Sequence, residues 1–319
     1  MGAATASLAA LGRLAYRARP AGELPIVVSI DVEPDGRAID PRSPGGWDGF
    51  NELLRVMPAL RERVSAATGA PAAFTWCLRM DPQIEAGWGS ATWVAEAYAD
   101  ELAGLEAEGD SLALHTHDWR WNTEHQDWTA LNEDPAWDEH CVGMALESFR
   151  RAFARTATTH RGGDHYLSAA MLEVLRREGV EVDLTVEPGL PAQDTFREGE
   201  VMLGASPDYR SIPTEPYRSS TATFPMPDPE AVEGPLLMPL FSAPGRRERT
   251  PLPLWKPPGR FAARLAAQLV RSPPPVLAFA IRVNIALDPR WEAITANLAN
   301  LARHRGTTFV TAGSAAAAL

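Results

Sequence analysis

A chain of 319 residues with 45% hydrophobic and 22% charged side chains has ordinary globular usage, so it can bury a sizeable core, and global disorder is excluded. Its length suits two domains or one large barrel. Against 41 Asp and Glu stand only 30 Lys and Arg, a formal net charge of −11 that repels polyphosphates and anionic bilayers, so neither nucleic acid nor a membrane surface is an expected partner.

Residues 1–20 begin apolar, but Arg13, Arg17 and Arg19 break the run before a secretory signal is complete. No apolar run of about 18 residues follows, so no transmembrane helix is expected. A reducing, cytoplasmic location is expected, with Cys77 and Cys141 as buried thiols. From Leu24 onward, short apolar runs alternate with helical periodicity, the pattern of stacked β-α units on a parallel sheet. The fully apolar LPIVVSI (24–30) predicts a buried strand, and Phe50, Leu53, Leu54, Met57 and Leu60 predict a helix over 47–66. Next come a strand at 72–78, a helix at 92–108, a strand at 111–114, a helix at 135–155, a strand at 158–161, a helix at 166–178 and a strand at 181–186. The span 188–275 holds 18 of the 28 prolines and reads as loop and turn, with a strand near 236–241 and a helix near 260–270. A strand at 276–281, a helix at 290–304, a strand at 308–310 and a short Ala-rich helix complete the chain. About seven strands with intervening helices predict an α/β barrel, in which the groups DVEPD, HTHDWRW, RGGDH and EPG at the strand ends face one rim.

Those strand ends carry the chemistry. His115 and His117, at i and i+2, point to one side of an extended segment and can reach one cation. Asp118 is either an acceptor behind them or solvated. Asp31 and Glu33 are paired carboxylates, able to divide metal ligation and proton transfer between them, or else to cap a turn. Arg161, in Arg161-Gly162-Gly163-Asp164, is placed to pair with Asp31.

SIDVEPD, LALHTHDWRW, HRGGDHYLSAAMLEVLRREGVEVDLTVEPG and PDYRSIPTEPYRSS together resemble the successive blocks of the polysaccharide deacetylases (NodB homology, carbohydrate esterase family 4), in particular the divergent branch associated with surface and exopolysaccharide clusters. The resemblance implies a distorted (β/α)7 barrel of the NodB type over residues 24–312, with an N-terminal extension at 1–23, a Pro-rich insertion at about 188–275 and a tail at 313–319. It implies a divalent metal, Zn with Co, Ni or Mn as alternatives, and hydrolysis of an N- or O-linked acetyl group on a carbohydrate. On that resemblance Asp31 is the base, Arg161 orients it, and His115 and His117 are metal ligands in an HxH spacing where HxxxH is commoner. Glu33 stands nearest to the family's metal-ligating acid, with Asp31 as the alternative. The family's late-strand His in an LxH pattern is missing: the matching stretch runs from Leu277 to Arg282, and arginine cannot donate a proton at neutral pH. Either another group such as His165 supplies that proton, or the protein is slow or silent and only binds glycans. A further alternative is amide hydrolysis of a non-sugar substrate. Arg282 is expected either to bind an anionic group or to pair with a structural acid.

Asp208, Tyr209, Arg210, Tyr217 and Arg218 match a loop on the substrate side. Six of the ten tryptophans lie between Trp88 and Trp137. Trp119 and Trp121 alternate in step with the His pair and are expected to line the same rim as sugar platforms. His160 is expected to point away from that rim, and His125, His140 and His304 to be structural.

Overall fold

The computed structural model describes residues 24–319 except 37–38, 125, 133, 194–201, 246–247 and 272. The expected extension at 1–23 and the reading of His125 lie outside the described residues. Strand β1 (Leu24–Val32) is built from the apolar run identified in the sequence, and it is buried along its length because both faces are covered. Ile26, Val28 and Ile30 face the helical layer, whereas Val27 joins Val182, Leu184, Met238, Leu240 and Ala278 in a second cluster on the opposite face. With β2 (Thr75–Arg79), β3 (Ser111–Thr116), β6 (Thr159–Gly162), β7 (Val182–Asp183), β9 (Leu236–Leu237), β12 (Leu277–Arg282) and β13 (Thr307–Phe309), it forms one parallel sheet, while the short strands β8 (Met202–Leu203), β10 (Ser242–Pro244) and β11 (Arg249–Pro251) lie outside it. The strand order is β12-β1-β2-β3-β6-β7-β9, with β13 also pairing to β1. The sheet curls, and a single parallel bridge between Leu240 and Ala278 links its two ends. This is the distorted barrel that the sequence predicts.

The helix at Asp48–Thr68 starts where the Asp35 carboxylate accepts the amides of Asp48 (2.7 Å) and Gly49 (2.8 Å), and it ends at Gly69 in the left-handed region. Asp35 is therefore a remote helix cap. The single helix expected over 92–108 is two, Trp93–Ala97 and Ala99–Ala107, because Tyr98 leaves helical geometry as its ring packs 4.7 Å from that of Phe50. The helix expected from Tyr166 starts at Ala169, where the Ser168 hydroxyl accepts the Met171 amide. Strand β7 is shorter than expected because the Asp183 carboxylate takes the Thr185 amide (2.8 Å) and bends the chain. The Ala-rich end folds into a helix, Ala312–Ala317, whose Ala312 and Ala315 close over Val27 and Val182.

Among the elements that escaped the sequence pattern, two stand next to the strand ends. A short helix, Pro82–Trp88, is capped by Asp81, and a hairpin of β4 (Trp119–Asn122) and β5 (Asp127–Leu131) leaves the barrel directly after the His pair. Both cysteines are free and buried. No helix among the described residues is long and apolar enough to cross a membrane.

Candidate metal and hydrolytic site

The strand-end groups converge as the barrel rule requires. Asp31, Glu33, His115, His117, Arg161, Asp164, His165, Glu187 and Arg282 all line one cleft of about 510 Å³. At its floor the His115 and His117 Nε2 atoms lie 3.2 Å apart, and Glu33 Oε2 is 3.3 Å from His117 and 3.8 Å from His115. Tetrahedral coordination with bonds of about 2.0–2.2 Å separates donor atoms by roughly 3.3–3.6 Å, so these three residues fit a zinc-type ion without rearrangement. The rings are aimed by their other nitrogens. His115 Nδ1 contacts the Arg161 carbonyl at 2.8 Å and His117 Nδ1 contacts Asp164 Oδ2 at 3.2 Å, the acceptor arrangement typical behind metal-bound imidazoles. Glu33, not Asp31, completes the trio.

The electrostatics suit a ligand set. Burial pushes the His115 imidazole down to about 4 despite nearby Asp31, leaving it neutral and able to donate a lone pair. Burial disfavours the charged form of His117 as well, but Asp164 and Glu33 outweigh it and raise its pKa. Burial would raise the Glu33 carboxyl; Arg282 and the His pair instead hold it well below the usual range.

Asp31 lies beside this trio, and Arg161 Nε donates to its Oδ1 at 2.7 Å, the pairing expected from sequence. Arg161 is fixed by a second bond, from Nη1 to the Leu184 carbonyl at 2.7 Å. His160, one residue earlier, faces the other way and is bound to Asp183 (2.7 Å) and Thr116 (2.8 Å). Arg282 sits where the family's late-strand His is absent, and its Nε contacts Glu33 Oε1. It thus pairs with an acid of the cleft itself, the Glu33 carboxylate beside the two imidazoles. His165 lies on the cleft wall with Nδ1 3.4 Å from Glu187 Oε2.

The two glycines of RGGDH have a steric purpose. A Cβ at Gly163 would stand 2.2 Å from His117 Nε2, and one at Gly162 would stand 2.0 Å from the Tyr166 carbonyl. Replacing Gly163 with Ala is therefore expected to push the His117 ring off its position and weaken Zn²⁺ binding at least tenfold. Competition titration with a chromophoric chelator checks this, and unchanged affinity would refute the steric assignment.

Five other placements correct the sequence reading. Trp119 and Trp121 do not line the cleft: β3 ends at Thr116 and the chain turns into the β4–β5 hairpin, so strand alternation does not carry past His117. Trp119 is buried and donates to Asp164 Oδ2 at 2.9 Å, behind His117, while Trp121 packs against Trp128. Tyr209 is fully buried, drawn inward by paired backbone bonds to Gly189 and Leu190, and Asp208 is a surface residue paired with Arg210. Among the described residues, the large aromatic side chains that do line the cleft are Phe241, Trp255 and Phe279. Asp118 is buried, and burial together with Asp138 pushes its carboxyl up to about 8; Asp164 holds the place behind His117 instead.

Sequence reasoning also missed Arg79 and Asp81. Arg79 is wholly buried, with Nε 2.6 Å from Asp81 Oδ2 and Nη1 3.4 Å from Glu33 Oε2, while Asp81 Oδ2 also accepts the His117 amide at 3.0 Å. The one available signal was Asp81-Pro82, a helix start that places a carboxylate next to a strand end.

No family model and no curated protein matches the chain. Solved structures do match over nearly its whole length. A Mycobacterium smegmatis protein assigned as a polysaccharide deacetylase has 10% identity and TM-score 0.54, with 94% of this chain and 91% of that one covered. A Pseudomonas aeruginosa PAO1 protein assigned likewise has 11% identity and TM-score 0.53, with 92% and 90% covered. Puue allantoinase has 12% identity and TM-score 0.52, with 95% and 94% covered. At these identities the likeness is one of architecture, and it agrees with the curled parallel sheet: this chain has the NodB-like fold of the polysaccharide deacetylases.

Proposed function

We propose that the protein is a metal-dependent hydrolase that removes an N- or O-linked acetyl group from a carbohydrate. The observation that carries this reading is the Glu33-His115-His117 trio set beside the Asp31–Arg161 pair in one cleft. Zn²⁺ is the ion that best suits two imidazoles and a carboxylate, with Co²⁺, Ni²⁺ or Mn²⁺ as substitutes; when bound, such an ion polarises an acyl carbonyl and lowers the pKa of water from 15.7 to about 7.

The chain's own residues supply the rest. Arg161 fixes one oxygen of Asp31 and leaves the carboxylate a second oxygen with which to take a proton from the attacking water. His115 and His117 keep their Nε2 atoms turned to the cleft because their Nδ1 atoms are held from behind. The proton must then reach the leaving nitrogen or oxygen. Arg282 cannot deliver it, so the assignment falls to His165 on the cleft wall.

Acetate release from N-acetylated and O-acetylated oligosaccharides by the Zn²⁺-loaded protein tests the reading. Release that is lost both with chelator and in His115→Ala supports it. A metal-loaded protein that binds these oligosaccharides but frees no acetate would instead be a silent glycan-binding barrel.

A further inference from the structure

The acidic charge of the chain is unevenly distributed. From Arg249 to Leu287 there are six Arg and Lys and no Asp or Glu, in a protein of net charge −11. The structure gathers four of these cations, Arg249, Lys256, Arg260 and Arg264, near one another, next to the cleft-lining Trp255. Arg249 Nη2 donates to the Ser242 carbonyl at 2.6 Å and Arg264 Nη2 to the Ala243 carbonyl at 2.9 Å, so both guanidinium groups are anchored along one short strand, Ser242–Pro244. Burial, then the charges of Arg260 and Arg264, lowers the Lys256 ammonium; burial, then Arg264, lowers Arg249. Among the described residues none of Arg249, Lys256, Arg260 and Arg264 is in an ion pair with a carboxylate. Crowded like charges without counter-charges repel, and an anionic ligand relieves that repulsion.

The patch runs into the cleft. Trp255, 37% exposed, lines it with Arg290; Lys256 Nζ lies 4.0 Å from the Trp255 ring centre and the Arg290 guanidinium carbon 5.6 Å. Arg290 is itself paired with Asp288 (2.7 Å), so the exposed indole offers a face for a sugar ring and Lys256 the charge beside it for an acidic substituent. A bilayer is the poorer fit. The helix Pro258–Arg271 turns Phe261, Leu265 and Leu269 into the core, so it has no continuous apolar face to insert.

We infer that the cleft takes an anionic saccharide, one bearing carboxylate or phosphate groups next to the acetylated sugar, with Trp255 as its platform and Lys256, Arg260 and Arg264 as its anion contacts. This rests on the carbohydrate reading above. Calorimetric titration of the Zn²⁺-loaded protein at low salt compares hyaluronan hexasaccharide (carboxylates), UDP-N-acetylglucosamine (diphosphate), chitohexaose in its fully N-acetylated, neutral form, and phosphatidylglycerol vesicles. At least tenfold tighter binding of one anionic sugar than of the neutral one is expected, weakened by 0.5 M NaCl and reduced about tenfold in Lys256→Ala/Arg260→Ala/Arg264→Ala, with folding checked by thermal melt. The anionic sugar that binds tighter identifies the charged group. Equal binding of neutral and anionic sugars overturns this inference and leaves the carbohydrate reading standing; no binding of any sugar overturns both; binding to vesicles alone assigns the patch to lipid and overturns the inference.

Discussion

Asp31→Asn is expected to lower kcat for acetate release by about 10²–10⁴-fold while changing Zn²⁺ affinity less than threefold. The expectation follows from how the site divides its two nearby carboxylates. Residues 31 and 33 project to the same side of the end of β1, yet their partners differ: Asp31 is bound by Arg161, whereas Glu33 Oε2 lies within 3.8 Å of both imidazole Nε2 atoms. Asparagine keeps an acceptor for Arg161 Nε, so the buried guanidinium retains a hydrogen bond, but it removes the oxygen that would take a proton. Glu33→Gln is expected to give the opposite split, with ion affinity lost first and activity lost as a consequence. Single-turnover kinetics at saturating Zn²⁺, together with chelator competition on the same preparations, separate the two. If Asp31→Asn lost the ion, or if Glu33→Gln kept it and lost only turnover, the two roles would have to be exchanged.

The parts of this site that were legible in the sequence are those held by regular strands. Within β3 and β6, alternation decides which side chains face the cleft, so His115 and Arg161 point in and His160 points out, as the residue spacing requires. The same rule fails once a strand ends. Trp119 keeps the parity of the His pair in sequence, but the turn at His117–Asp118 redirects the chain and sends its indole behind the site. The Pro-rich span was legible as loop but not as wall. Nothing in the local pattern of 188–275 shows that Phe241 and Trp255 reach the cleft while Tyr209 is packed away, because that is decided by contacts with strands far off in sequence. Arg79 was invisible for a related reason: an arginine at the end of TWCLR reads as a solvated charge until the neighbouring strand brings Glu33 to it.

Arg79→Met is expected to destabilise the protein by about 3–5 kcal/mol, the usual cost of leaving one member of a buried ion pair alone, and so to lower Tm by roughly 6–10 °C. Glu33 and Asp81 are only 3% and 0% exposed, and both face the Arg79 guanidinium. Without it two carboxylates would share a dry pocket, with Arg282 as the remaining cation on Glu33. The damage extends to the site through Asp81, whose Oδ2 is shared between Arg79 Nε and the His117 amide and whose Oδ1 caps the helix at Gln83 (3.0 Å). A carboxylate released from that fork loosens the backbone that carries His117, so Zn²⁺ affinity should fall about 10–100-fold, the range seen when residues behind metal ligands are removed. Arg79→Lys restores the charge but not the fork: Nη2 also donates to Gln83, and one ammonium cannot span Asp81, Glu33 and Gln83 together. It should recover most of the Tm and little of the affinity. Melts and Zn²⁺ titrations of the two variants separate charge from geometry. A methionine variant as stable as the parent, with unchanged affinity, would show that Glu33 is held by Arg282 alone.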